Sequence, residues 1–251
     1  MIRAIATYCA VLAFAGEASA AIVADTGRET RWANEVVPQL VVGDAVWLAT
    51  SQHPRVLALY TKPVAKTRSA VILVHGLGVN PDWNLIGVLR TELAERGFAT
   101  LSVQMPVLAA DARREDYAAL FPDAGERLAA AIAWLHDNGY ARIAIVSHSM
   151  GAAMVNAWLA QQDENVIDAW VPVGMFVPLA SQPRQPVLDV VAERDFAEVL
   201  SLAKSREARL PRDGCSAAIT VSGADHYFGD AASRLAAAIA PFIARAMSDR
   251  C

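Results

Sequence analysis

A chain of 251 residues is long enough for one large α/β domain with a substantial buried core. Its 55% hydrophobic content, much of it alanine, exceeds the usual globular share, while 19% charged residues still supply a solvated surface. The formal charge of -4 leaves no basic footprint for nucleic acid.

In chain order, residues 1–20 read as a cleavable leader. Arg3 supplies a positive start and residues 4–15 are almost wholly apolar. Ala18-Ser19-Ala20 fits the small-x-small rule, which puts the cut after Ala20 and the folded domain over 21–251. The apolar run is shorter than the about 20 residues a membrane span needs, so no stable span is expected after cleavage. Cys9 has no convincing lipobox around it. The chain is therefore expected to be secreted, to the periplasm or beyond. Cleavage leaves Cys215 and Cys251, in a setting where disulfides persist. The first precedes the last predicted strand and the second follows the last predicted helix. An antiparallel return of that helix brings the pair together, closing a loop of about 36 residues worth ~4 kcal/mol in the chain-entropy model.

Residues 21–40 are polar and read as an irregular arm. Residues 41–50 and 55–60 read as two early strands joined by a turn. From Ser69 the pattern becomes regular. Residues 70–74 form a continuous apolar run, the mark of a strand buried on both faces. Residues 82–96 carry helical spacing through Leu85, Val88, Leu89 and Leu93, with Gly97 as C-cap. Strands follow at 99–103, 142–146, 166–173, 187–192 and 217–221. Helices are expected at 124–136, 150–161, 197–204 and 231–247. This alternation predicts a doubly wound, mostly parallel sheet. The stretch 175–186 between two core strands is too short for a large cap domain. Reactive groups in such a sheet belong just after the strands.

Ser147-His148-Ser149-Met150-Gly151 has that position, between a strand and a helix. This is the context of a nucleophile elbow, with Ser149 raised above the sheet and the Met150 N–H aimed at an oxyanion. Ser147 stands where glycine is usual, and its side chain is expected to strain the turn. An N-cap role for Ser149 is the plainer alternative. His75-Gly76-Leu77-Gly78 follows an earlier strand and supplies a second oxyanion donor, through the main chain of Leu77 or of Gly78. His75 itself is read as holding this loop. His226 follows the final strand and suits the general base. Asp195 follows the strand before it and suits the acid that orients the imidazole, with Glu193 as rival and a helix N-cap as its plainer role. Asp189 lies inside its strand, Asp168 lies at the wrong end of its strand, and Asp225 breaks the order serine, acid, histidine. His53, His136 and His148 show no metal-ligand spacing, and no P-loop or dinucleotide fingerprint is present, so no metal or cofactor is expected.

With these motifs placed, the chain from about Ser69 onward resembles the α/β-hydrolase superfamily. More closely, Val74-His75-Gly76-Leu77-Gly78-Val79-Asn80-Pro81-Asp82-Trp83, Gln104-Met105-Pro106 and Gly223-Ala224-Asp225-His226 are similar to an uncharacterised bacterial hydrolase-like family, a domain-of-unknown-function group. The resemblance implies Ser149 as nucleophile, His226 as base, Asp195 as acid, and Leu77 and Met150 as oxyanion donors.

The expected function is a serine hydrolase acting on a carboxylic ester or thioester, small or polymeric. Loops after the strands should line the pocket: Val79, Asn80 and Trp83, then Met105 and Val107, then Met175, Phe176 and Val177. Arg113 and Arg114 follow a strand and could receive an anionic substrate or partner, with a solvated loop as the plainer reading. A non-catalytic envelope binding or scaffold protein that keeps the fold is the alternative from another class, and the same triad also serves amidases and peptidases.

Overall fold

The computed structural model describes residues 22–248 and 250–251. The leader expected over 1–20 lies outside the described residues. Among those described, no helix is long and apolar enough to cross a membrane.

The polar stretch expected as an irregular arm is instead helical. Helix α1 (Thr26–Val36) is capped by Asp25, whose carboxylate accepts the Arg28 N–H at 2.8 Å. It continues into a 3-10 turn at Val37–Gln39. Ala33, Val36, Val37 and Leu40 pack on Leu57 and Leu59. Its other anchors are polar: Arg28 donates to the carbonyls of Leu108 (2.8 Å) and Gly78 (3.0 Å). So narrow an apolar stripe gives little periodicity to read.

The strands follow as β1 (Asp44–Leu48), β2 (Val56–Thr61), β3 (Ser69–Val74), β4 (Ala99–Val103), β5 (Arg142–His148), β6 (Ala169–Val173), β7 (Leu188–Arg194) and β8 (Ala217–Asp225). They form one eight-stranded sheet in the order β1-β2-β4-β3-β5-β6-β7-β8. The pairs β1–β2 and β2–β4 are antiparallel, and every later pair is parallel. The connecting helices are α2 (Leu85–Glu95), α3 (Phe121–Asp137), α4 (Met150–Leu159), α5 (Ala197–Glu207) and α6 (Ala232–Ala246). Helices α2 and α6 pack together, as do α3 and α4. Two apolar clusters result, one gathering Ile72, Ile145 and Leu128, the other Leu73, Val146 and Leu89. Alternate residues of β3 and β5 thus feed opposite cores, which is why these strands read as unbroken apolar runs.

Three boundary differences matter. The helix expected from 82 begins at Leu85, because Asn84 has φ 40° and interrupts helical geometry. A 3-10 helix at Arg114–Leu120 precedes α3 and was not expected. Strands β5 and β8 run further than the apolar pattern does, to His148 and Asp225, and so deliver the next residue directly to the sheet's carboxyl edge. Among the described residues, no large cap interrupts the sheet and its helices. The segment 175–186 is tied to α4, where Asn156 donates to the Pro178 carbonyl (2.9 Å) and accepts the Ala180 N–H (3.1 Å). Cys215 and Cys251 form a disulfide across 36 positions, beside β8 and past α6.

Candidate active site

Ser149 sits between β5 and α4 with φ 53° and ψ -116°, a left-handed conformation unusual for a residue with a Cβ. Its N–H donates to the Val173 carbonyl at 2.9 Å. The turn is this sharp because Gly151 touches the neighbouring strand end. A Cβ there would stand 2.3 Å from the His75 carbonyl oxygen and 2.7 Å from Val74 Cγ1. The positive φ falls on Ser149, whereas strain was expected from Ser147. Ser147 is an ordinary buried strand residue, and its hydroxyl accepts the Trp170 indole N–H at 2.9 Å.

His226 follows β8 immediately. Its Nε2 lies 2.9 Å from Ser149 Oγ, and its Nδ1 lies 2.5 Å from Asp195 Oδ1. Asp195 follows β7, so three strand ends converge on one hydrogen-bonded chain of hydroxyl, imidazole and carboxylate. Asp195 also accepts the N–H groups of Ala192 (3.0 Å) and Phe196 (2.9 Å). Burial pushes its carboxyl up, but the bonds from His226 and the two N–H groups outweigh that and hold it below its ordinary value. The other carboxylates point elsewhere. Glu193 is exposed and accepts the Gly223 N–H at 2.7 Å. Asp225 accepts the Tyr227 N–H, Asp168 pairs with Arg142, and Asp189 pairs with Arg206.

Two further rings flank the imidazole of His226. Phe196 stacks on it, with centroids 4.1 Å apart and planes at 24°. His148 lies 4.9 Å away, and its Nε2 donates to the His226 carbonyl at 2.8 Å. Burial, with His226 nearby, lowers the His148 pKa to about 4, so this ring is neutral at pH 7. Sequence order suggested no partner for His148, because its contact comes from the far end of the chain. His75 is likewise lowered to about 4, chiefly by burial. Its Nδ1–H donates to the Gly76 carbonyl (2.9 Å) while its Nε2 accepts the Met105 N–H (2.9 Å), so it braces the loop carrying Leu77.

A pocket of about 200 Å³ opens at Ser149. Leu77, Val79, Trp83, Met150 and Phe176 are among the residues that line it. Met105 and Met175 are not. Both are buried in the core, where the Met105 N–H serves His75 and the Met175 carbonyl accepts from Arg206 (2.7 Å). Strand-end apolar residues alternate in direction, so position after a strand alone does not choose the pocket face. Arg114, for which a solvated loop is the plainer sequence reading, lines the pocket, 4.8 Å from the Phe176 ring centroid and paired with Glu198 at 2.7 Å. Arg113 is exposed and pairs with Asp116. Phe196 and Tyr227 complete an aromatic mouth. Among the described residues, no cluster of His, Cys, Asp and Glu is arranged to hold a metal ion.

Comparison with known proteins bears on this geometry. The model of the alpha/beta hydrolase family matches residues 71–250. The model of a family described as a protein of unknown function, DUF3530, matches residues 17–124. No curated protein matches the sequence. Among solved structures, an alpha-beta serine hydrolase homologue from Coxiella burnetii superposes with TM-score 0.65 at 16% identity, covering 80% of this chain and 98% of that one. Est1E from Butyrivibrio proteoclasticus gives TM-score 0.64 at 14% identity, covering 82% and 99%. Dienelactone hydrolase from Anabaena variabilis gives TM-score 0.64 at 18% identity, covering 80% and 96%. At such identities the likeness is one of fold.

Proposed function

Because the chain belongs to the alpha/beta hydrolase family, we propose that it is a serine hydrolase that cleaves carboxylic esters or thioesters through an acyl-enzyme. The observation that carries this reading is the unbroken chain from Ser149 Oγ to His226 (2.9 Å) to Asp195 (2.5 Å). An esterase from Pyrococcus furiosus and an esterase domain from Rhodothermus marinus, both of similar fold, support it.

In this mechanism His226 Nε2 takes the Ser149 proton as Oγ attacks the substrate carbonyl. Asp195 keeps the other imidazole proton on Nδ1 and stabilises the imidazolium that forms. The carbonyl π electrons move onto oxygen, which the Leu77 and Met150 N–H groups receive. Met150 is the first residue of α4, where an N–H has no partner within the helix and the helix dipole favours negative charge. Collapse of the intermediate breaks the bond to the leaving group, and His226 returns the proton to it. Water then attacks the acyl-enzyme with His226 again as base, releasing the acid and restoring Ser149.

Val79, Trp83 and Phe176 supply apolar contact for an acyl or alkyl group, and the absence of a large cap suits bulky substrates. The disulfide between Cys215 and Cys251 supports a place of action in an oxidising compartment. Hydrolysis of a p-nitrophenyl ester series by the purified protein tests the reading. Turnover should fall on the order of 10⁶-fold in Ser149→Ala. Equal turnover in wild type and variant would overturn it.

A further inference from the structure

Phe196 stands at the N-cap of α5, directly after Asp195. Among the described residues it belongs to none of the apolar clusters that build the cores, and it is 48% exposed. An aromatic ring left half in water forgoes much of the stabilisation that burial would bring. Its contact is instead with the base. The phenyl ring lies within 24° of parallel to the His226 imidazole, with centroids 4.1 Å apart. Tyr227 meets both rings edge-on, its centroid 6.0 Å from Phe196 and 5.5 Å from His226. Gly174 packs against the imidazole as well, since a Cβ there would stand 3.0 Å from His226 Cε1. The phenyl ring is therefore a fixed wall of a tightly walled imidazole.

That imidazole has little water to hydrate a charge, because the His226 side chain is only 4% exposed. When Nε2 takes the Ser149 proton, the positive charge spreads over the stacked ring. Few ionisable groups are near it. Asp195 holds Nδ1 and Ser149 lies at Nε2. His148, at the end of β5, is 4.9 Å away and neutral at pH 7. In the loop after β8, Tyr227 presents its ring, and Asp225 is turned to the Tyr227 N–H. At the pocket mouth, Glu198 of α5 and Arg114 of the 3-10 helix pair with each other at 2.7 Å. The face of the charged ring is left to Phe196. A cation within about 6 Å of an aromatic face is attracted by the ring quadrupole.

We propose that Phe196 is a positioning residue for the reaction at Ser149. Its ring holds the imidazole in line between Oγ and Asp195, and its face stabilises the imidazolium that forms during attack. This role presupposes the serine hydrolase reading of the site. The main chain has a separate task, because the Phe196 N–H donates to Asp195 Oδ1 at 2.9 Å and a side-chain substitution leaves that bond in place.

Phe196→Leu keeps apolar bulk and removes the π face, whereas Phe196→Tyr keeps the face. NMR titration of the His226 ring in each full chain, beside kcat and KM for a p-nitrophenyl ester across pH, tests the role. In Phe196→Leu the protonated imidazole loses a partner. Its midpoint and the acid limb of kcat/KM should both move down by about 0.5 pH unit. On the plateau kcat should fall about threefold to tenfold, with KM changed less than about twofold. Phe196→Tyr should keep the wild-type midpoint and rate. An imidazole midpoint unmoved in Phe196→Leu would overturn the proposal. So would a loss confined to KM, which would make Phe196 a substrate wall, or a midpoint that falls equally in Phe196→Tyr. A midpoint that shifts as stated in a chain without Ser149-dependent turnover would overturn the hydrolase reading and leave the effect of the stack on the imidazole standing.

Discussion

Gly151→Ala isolates the contact that shapes the elbow. The added Cβ would meet the His75 carbonyl oxygen at 2.3 Å, Val74 Cγ1 at 2.7 Å and the Val74 carbonyl oxygen at 3.0 Å. Ordinary contact begins near 3.4 Å, so α4 must retreat from β3 by about 1 Å. Two of the three atoms are backbone and cannot swing aside. Overpacking of this kind costs about 1–3 kcal/mol, and rigid neighbours place the variant at the top of that range. The same shift moves Ser149 relative to His226 and Leu77. Misplacement by ~1 Å costs a reaction about 100-fold. Gly229→Ala is the control, because a Cβ there meets nothing within 4 Å. Urea denaturation should show the loss for Gly151→Ala, and a change within about 0.5 kcal/mol for Gly229→Ala. Ester turnover should fall about 100-fold only in the first variant. An unchanged midpoint and rate in Gly151→Ala would refute the close-approach account of the elbow.

Asp195→Asn should fold and yet lose about 10⁴-fold in kcat, because the wrong imidazole tautomer faces Ser149. Steady-state ester kinetics check this, and a loss below tenfold would point to Glu193 or to no acid at all. Asp189→Ala should cost about 3–5 kcal/mol by urea denaturation, since the fully buried Arg206 side chain would lose its carboxylate. Asp189→Ala combined with Arg206→Met should recover part of that loss. His75 and His148 titrate near pH 4 in the folded chain, against about 6.5 unfolded. Between those values the unfolded chain binds more protons, so stability should fall as pH drops from 6.5 to 4, by at most about 3 kcal/mol per histidine. Urea midpoints across that window read it, and His148→Asn should flatten the slope by half. Cys251→Ser should cost ~4 kcal/mol, from the entropy of an opened 36-residue loop.

Much of this architecture is legible in the sequence because its signals are local. Runs such as Ala70 to Val74 announce strands buried on both faces, and the serine, acid, histidine order follows from which residues end them. What escaped was set by distant contacts. Helix α1 is held by Arg28 on Gly78 and Leu108 and by Glu29 on Arg127, polar anchors that accompany only a narrow apolar stripe. His148 and Phe196 gain their places only when the ends of β5, β7 and β8 meet at the same edge of the sheet. Met105 and Met175 stand after strands, as Phe176 does, but their direction depends on twist and packing that composition does not record. Arg114 reaches the pocket through a 3-10 helix whose sequence, with acidic and basic residues interleaved, resembles any solvated turn.

The central claim is that His226 and Asp195 activate Ser149. The most direct test is labelling of the chain from Ala21 by a fluorophosphonate, with the site located by mass spectrometry, beside Ser149→Ala and His226→Ala. The account predicts one label, on Ser149, absent from both variants. A folded wild-type chain that stays unlabelled, or labels equally well without His226, would contradict it.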